Sequence, residues 1–524
     1  MATQPQVVPR EIVSRNPATG EVLGRFDCAT TADVRAAVLT AQDAQPAWRD
    51  LRARERARVV RNFQKLLYDR KREMAQLITR ECGKPVVEAL LTEVVVVMDC
   101  CRFLADAAPE FLRPESVPHG NLAMKTKSGS LLREPYGVVG IISPWNYPFS
   151  IPASESLAAL VAGNAVVLKP SELTPLVALE LRDLLVEAGV PQGVFLVVVG
   201  DGSTGAALVE SPLDKIIFTG SVATGRRVAQ TAAARLLPVV LELGGKDPML
   251  VLDDADLDVA SSAAVWGAFV NAGQTCLSVE RCYVQRRHYE KFLELCMGKT
   301  QQLRVGDGMR ASTDVGPLIS ERQLQIVEDH VEDARRRGAR ILTGGLRLRD
   351  LGPTFYAPTV LANVDHGMQI MREETFGPVL PVMPFDSDAD AVRLANDSDF
   401  GLAASIFTAD RLRGEALAEE IQAGSVMIND TVSAYGIAEA PHGGVKSSGV
   451  GRTHGRLGLE EMVRSKYVDA DLFPNARKVW WYGYGEEFQH QMNGFVDFLF
   501  ARSPFRRLRG GLKAAAAFLR DGRI

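Results

Sequence analysis

Between Gly137 and Gly245, five short apolar runs alternate with helix-like segments, and no other feature restricts the fold of this chain so strongly. The runs are Val138–Ile142, Ala165–Lys169, Val194–Val199, Ile216–Thr219 and Val239–Leu241, each β-branched or apolar and bounded by Gly, Pro or Ser. Segments such as Leu176–Ala188 and Gly225–Leu236 lie between them. This alternation predicts βαβ crossovers and a parallel sheet buried on both faces. A second alternating region runs from about Met249 to Asn429, with strands expected at Arg281–Val284, Val379–Pro384 and Ser425–Ile428. The fold class is therefore α/β, with two such domains meeting near Gly244-Gly245. A chain of 524 residues is long enough for two or three cores.

Other stretches differ in pattern. Residues 30 to 115 read as helices, since apolar residues recur every three to four positions. Ala123–Val138 is polar, alternating and interrupted at Gly129, which predicts an exposed β-hairpin. From Phe473 onward, nine Lys or Arg stand against four Asp or Glu among many aromatics. Asn493–Phe500 and Gly511–Arg520 are expected as short amphipathic helices there.

Composition excludes several classes of function. A net charge of -4 gives no reason to expect a nucleic-acid partner. No early apolar run reads as a signal peptide, and no stretch is apolar for long enough to span a bilayer. Seven cysteines without any C-x-x-C argue against a disulfide framework or a structural metal site. A reducing cytoplasm, with at least one free thiol, is the expected setting, and no metal ligand set is assigned.

Several residues can carry chemistry, each with a plain alternative. Gly200-Asp201-Gly202-Ser203-Thr204-Gly205 matches a dinucleotide-binding turn, but Gly220 and Ser221 stand where a ribose-binding acid belongs. A glycine-rich strand-to-helix turn explains that match equally well. Phe218-Thr219-Gly220-Ser221 leads through Val222–Gly225 into a helix, whose free N–H groups suit a phosphate. Cys276, in Asn271-Ala272-Gly273-Gln274-Thr275-Cys276, is a candidate nucleophile, although a lone thiol is more often inert. The other six cysteines read as strand or helix interiors. Glu242, between leucines at a strand end, sits in low polarity that raises its pKa toward that of a general base. Asn146, after the strand ending at Ile142, offers an amide to a developing oxyanion or serves only as a turn residue.

Taken together and in order, these segments resemble the aldehyde dehydrogenase superfamily. The matching motifs are Ser143-Pro144-Trp145-Asn146-Tyr147-Pro148, Leu168-Lys169-Pro170-Ser171-Glu172, Phe218-Thr219-Gly220-Ser221, Leu241-Glu242-Leu243-Gly244-Gly245-Lys246, Gly273-Gln274-Thr275-Cys276 and Glu373-Glu374-Thr375-Phe376-Gly377-Pro378. Weaker likeness extends from about Asn16 to Tyr467. The resemblance implies a Rossmann-type cofactor domain (1–122 and 139–245), an α/β catalytic domain (246–442) and a protruding β arm (123–138 and 455–472) that joins subunits into a homodimer or tetramer. It implies catalysis by Cys276, Glu242 and Asn146 through a cysteine thiohemiacetal and thioester. It assigns cofactor contacts to Trp145, Lys169, Glu172, Gly220, Ser221, Gly225, Glu374 and Phe376. Glu172 would accept from a ribose 2′-hydroxyl and repel a 2′-phosphate, which favours NAD, with NADP as the alternative.

The resemblance constrains the substrate less. Members that oxidise succinate semialdehyde carry an arginine eight residues after the Asn; Ser154 stands there, followed by Glu155. A medium- or long-chain or aromatic aldehyde is the expectation. A CoA-acylating or semialdehyde dehydrogenase of the same fold and a non-catalytic binding protein are the alternatives. The extension 473–524 reads either as a peripheral membrane contact or as a segment packed on the protein.

Overall fold

The computed structural model describes residues 10–121, 124–475, 477, 478 and 480–521. Ala123, where the hairpin is expected to begin, lies outside them, as do the first nine residues, Leu122, Ala476, Val479 and the last three residues. The chain divides into two compact units. One holds the chain up to Leu112 with Pro135–Arg464; the other holds Arg113–Glu134 with the residues from Ser465 onward.

In the first unit, a six-stranded sheet runs in the order Phe195–Val197, Ala165–Lys169, Val138–Ile142, Lys215–Thr219, Val239–Glu242, Gly449–Val450. All neighbours are parallel except the last pair, in which Gly449 faces Glu242. Val138–Ile142 and Ala165–Lys169 are wholly buried, which is why they read as unbroken apolar runs. The run Val194–Val199 is a strand only over Phe195–Val197. The helix expected from Gly225 begins at Val222, because the Ser221 side chain accepts from Thr224 N and caps it earlier.

A seven-stranded sheet in the same unit has the order Arg340–Thr343, Thr359–Ala362, Val379–Phe385, Val279–Gln285, Asp247–Val251, Ala403–Phe407, Ser425–Ile428. Only its first pair is antiparallel. The chain passes from one sheet to the other through the four residues Leu243–Lys246.

The helices expected over residues 30–115 are Thr31–Arg49, Ala53–Asp69, Lys71–Cys82 and a run from Val86 to Phe111. Thr30 and Asp33 form a capping box that starts the first. The last carries a π-turn at Leu90–Val94, and its Glu93 is fully buried.

The second unit holds a three-stranded sheet with Lys127–Pro135 between Val463–Asp471 and Glu115–Val117. This corrects the expected hairpin within 123–138: Gly129 is not a turn but a strand residue facing Val117. A Cβ at Gly129 would lie 2.8 Å from both Val117 O and the Tyr467 hydroxyl, so close approach requires the glycine. The C-terminal helices are longer than expected, at Glu486–Phe500 and Pro504–Asp521. They cross closely where a Cβ on Gly510 would stand 2.4 Å from Gly494 O. Among the described residues no helix is long and apolar enough to cross a membrane.

Candidate active site

In the six-stranded sheet the chain moves from Val138–Ile142 outward to Ala165–Lys169, then returns to the opposite side with Lys215–Thr219. Such a reversal opens a crevice at the carboxyl ends of the two central strands. The loop Ser143–Asn146 and the turn Gly220-Ser221 leave from those ends. Glu242 ends the next strand, while Cys276 and Glu374–Gly377 precede Val279–Gln285 and Val379–Phe385 of the other sheet. Strand ends of one sheet thus face strand starts of the other.

The segment leading to Cys276 is strained and firmly held. Asn271, Ala272 and Gly273 have φ of 52°, 55° and 73°. Asn271 Nδ2 donates to Asn146 O at 3.0 Å and to Gln274 O at 3.1 Å. Gln274 Nε2 returns a bond to Asn271 O, and Gln274 Oε1 accepts from Ile319 N at 2.9 Å. A Cβ on Gly273 would come within 2.1 Å of Gly377 O, and one on Gly245 within 2.4 Å of Cys276 O. Asn146 Nδ2 also donates to Gln274 O, at 3.0 Å, which leaves its second hydrogen for another acceptor. Next to it, the Tyr147 hydroxyl bonds Thr275 Oγ1 at 2.9 Å.

Of the seven free cysteines, only Cys276 and Cys28 are partly exposed. Cys28 is not in an element interior as expected; it follows the strand Val22–Asp27. Burial pushes the Cys276 thiol up, and the charges of Asp247, Glu374 and Glu242 add to the effect. Burial also holds the Glu242 carboxyl well above its usual range, reinforced by Glu155. Glu242 Oε1 accepts from Thr453 Oγ1 at 3.4 Å, and Oε2 lies 3.8 Å from His442 Nε2. Burial lowers His442 to about 3, so it is neutral here.

Cys276 and Glu242 line two spaces at once. One is a cavity of about 370 Å³ with apolar walls that include Val96, Ile151, Leu277 and Val432. The other is a chamber of about 420 Å³ lined by Trp145, Asn146, Glu374 and Phe376. This chamber continues into a cleft of about 700 Å³ lined by Lys169, Glu172, Gly220 and Ser221. An elongated cleft with a helix N-terminus at Ser221 and a buried lysine beside a more exposed glutamate fits a dinucleotide. Lys169 Nζ donates to Glu172 Oε2 at 3.3 Å. The Trp145 and Phe376 rings meet edge to face at 5.5 Å. Glu374 Oε1 accepts from Gly245 N at 3.0 Å, and burial, with the charge of Glu280, pushes Glu374 up to about 8.

Gly225 is the exception among the expected cofactor residues. It is buried under its helix, where a Cβ would meet Leu243 Cδ2 at 2.5 Å, and it lines none of these spaces. Three residues near the site went unassigned in the sequence. Glu280 accepts from Thr375 N and Phe376 N, and Lys246 Nζ donates to it at 2.5 Å, so this pair holds the Phe376 turn. Two adjacent charged residues, Glu280 and Arg281, at the start of a buried strand were the signal for Glu280. Glu155, in a wholly buried helix, lines the apolar cavity.

Comparison with known proteins adds an independent line. A family model described as "Aldehyde dehydrogenase family" matches residues 4–468. The chain is 42% identical over 511 residues to a protein named 4,4'-diapolycopene aldehyde oxidase from Methylomonas sp, covering 97% of this chain and 95% of that one. It is 43% identical over 462 residues to a betaine aldehyde dehydrogenase of Cereibacter sphaeroides, covering 87% and 93%. An NAD+ complex structure of an aldehyde dehydrogenase from Bacillus cereus superposes with a TM-score of 0.85 at 36% identity, covering 88% of this chain and 94% of that one.

Proposed function

The chain belongs to the aldehyde dehydrogenase family, whose members use NAD or NADP, and from that premise we propose that it oxidises an apolar medium- or long-chain or aromatic aldehyde to the carboxylic acid, reducing NAD. The observation that carries this reading is the position of Cys276, where an apolar cavity and a dinucleotide-shaped cleft meet.

In this reading the Cys276 thiol gives its proton to solvent, Sγ attacks the carbonyl carbon, and the carbon–oxygen π electrons move to oxygen. The free Nδ2 hydrogen of Asn146 and the Cys276 backbone N–H receive that oxyanion; one such donor is worth about a hundred- to a thousandfold in rate. Bound NAD would supply the hydride acceptor that lets the thiohemiacetal on Cys276 pass to a thioester. Glu242 then takes a proton from the water that attacks the thioester, and the acid leaves with return of the thiol. Lys169 and Glu172 would hold the adenosine-side ribose of the cofactor, Gly220 and Ser221 its pyrophosphate, and Trp145, Glu374 and Phe376 its nicotinamide side.

Among the described residues no Lys or Arg lines the cavity, so a semialdehyde carboxylate has no cationic partner among them there. A second reading, an aldehyde with a quaternary ammonium group, draws on the Tyr147, Trp266 and Tyr435 rings in the same wall and on the betaine aldehyde relative. NADH formation from acetaldehyde, hexanal, decanal, betaine aldehyde and succinate semialdehyde, with NAD and NADP and with Cys276→Ala as control, separates these readings. Turnover that rises with chain length and vanishes in Cys276→Ala is expected. Equal kcat/KM for acetaldehyde and decanal overturns the apolar-substrate reading. NADH formation that requires CoA replaces it with a CoA-acylating enzyme.

We further propose a homodimer or tetramer joined through the three-stranded sheet, and a cytoplasmic setting, supported by seven unpaired cysteines. The C-terminal helices are proposed to lie on an anionic membrane. Phe505, Leu508 and Leu512 are exposed in one helical stripe beside Arg506, Arg509 and Lys513. The Methylomonas relative, named for a diapolycopene aldehyde, matches 97% of the chain, against 87% for the betaine aldehyde relative.

A further inference from the structure

One buried acid that lines the apolar cavity takes no part in the reaction proposed above. Glu155 sits midway along the buried helix Ser150–Ala162 and is only 4% exposed. Its Oε1 accepts from Thr219 Oγ1 at 3.1 Å; its Oε2 is buried with no hydrogen-bond partner among the described residues. Thr219 and Glu242 face each other on adjacent strands, and all three side chains line the same cavity. Glu242 Oε2 also lacks a hydrogen-bond partner.

The groups around this pair do little to balance two negative charges. His442 and His454 are held neutral by burial, at about 3 and about 4. Arg452 attracts Glu242, but its Nη1 is engaged by Gly444 O and Gly451 O, and Glu461 opposes it. Thr453 offers only a hydroxyl. Cys276, Cys100 and Tyr435 complete the titratable surroundings, and burial pushes each of them up. Burial also raises Glu155 to about 8. Two carboxyl groups in one largely apolar cavity hold a single negative charge far more easily than two.

We propose that Glu155 is a positioning residue that, through the cavity both line and not by a direct hydrogen bond, shares one proton with Glu242, setting the pH at which Glu242 serves as the base. This rests on the reading of Glu242 as the base that hydrolyses the thioester. No atom is lost or gained: whichever carboxyl group keeps the proton, the other carries the single negative charge, and Glu242 is the base only while Glu155 keeps it.

The test is the decay of the acyl-enzyme after rapid quench, followed against pH in the wild type, Glu155→Gln, Glu155→Asp and Glu242→Gln. The Gln amide keeps the size of Glu155 and still accepts from Thr219, but removes the competing charge. In Glu155→Gln the amide cannot take the charge, so Glu242 carries it alone: the acid limb of the decay rate is expected to move up, by as much as about one pH unit, and its plateau to rise, while Glu155→Asp stays with the wild type. Glu242→Gln is expected to keep its NADH burst and lose decay by about a hundredfold or more. An acid limb unchanged in Glu155→Gln, with Glu242→Gln inactive, overturns the shared proton alone. Equal shifts in the Asp and Gln variants overturn it as well, since packing then explains both. Wild-type decay in Glu242→Gln overturns the reading of the base, and this inference with it.

Discussion

Asn271 and Ala272 hold left-handed backbone that non-glycine residues adopt at a cost of about 1–3 kcal/mol each, and the Asn271 amide secures it by tying Asn146 to Gln274. Asn271→Ala leaves both carbonyls without that donor and lets the Asn146 amide drift from the thiol. Displacement by about 1 Å costs on the order of a hundredfold, so kcat is expected to fall by about that factor while circular dichroism stays unchanged. The raised Cys276 thiol gives a second test. Its thiolate fraction at neutral pH is below that of a free cysteine, so alkylation of the cofactor-free enzyme by iodoacetamide is expected to be slow at pH 7 and to climb beyond pH 9. A rate that levels off below pH 8, read by intact mass, contradicts the burial argument. At this scale the sequence motifs contained Cys276, Glu242 and Asn146, because glycines stand beside Cys276 and Glu242 and Asn146 follows the end of an apolar strand. Glu155 stood in plain view next to Ser154, but only tertiary packing turns a mid-helix acid toward a cavity.

The helix Ser150–Ala162 fixes the Asn146 loop, and its N-terminus is capped from outside its own sequence. Glu93 Oε2, on the π-turn, accepts from Phe149 N at 2.8 Å and Ser150 N at 3.1 Å. Lys84 Nζ pairs with Glu93 Oε1 at 2.6 Å, both side chains wholly inaccessible, and also lies over the Tyr147 ring at 3.7 Å. Removing one partner of a buried pair leaves an uncompensated charge that costs about 3–5 kcal/mol. Lys84→Met is therefore expected to lower the thermal midpoint by several degrees and kcat with it; an unchanged midpoint by calorimetry contradicts this. The π-turn that aims Glu93 left no mark in the helical periodicity. Strands of the two parallel sheets were readable because burial on both faces makes them continuously apolar. The hairpin within 123–138 was misread for the opposite reason. The strands beside Lys127–Pro135 are Glu115–Val117 and the distant Val463–Asp471; a local pattern holds no record of so distant a partner, and only the family resemblance pointed to the late segment.

At the scale of the whole chain, α/β alternation and motif order identify the fold, yet composition in the tail speaks to a surface rather than to a core. In the helix Pro504–Asp521, Phe505, Leu508 and Leu512 are between 66% and 75% exposed and recur at helical spacing, with Arg506, Arg509 and Lys513 in the next stripe. An apolar aldehyde partitions into lipid, so an enzyme that rests on the bilayer meets its substrate where the substrate is concentrated. Each cation near an anionic surface contributes about 1 kcal/mol, a factor of about five in binding. Reversing Arg506, Arg507 and Arg509 to Glu is thus expected to weaken sedimentation with phosphatidylserine vesicles by at least a hundredfold. Turnover of hexanal in solution is expected to stay the same, since these residues line none of the catalytic spaces. Decanal presented in vesicles adds the decisive comparison: its apparent KM should rise in the variant, while decanal in detergent micelles should not distinguish the two proteins. If vesicle binding survives the charge reversal, or no binding occurs in either protein, the exposed stripe belongs to a contact between subunits, and the oligomer rather than the membrane covers it.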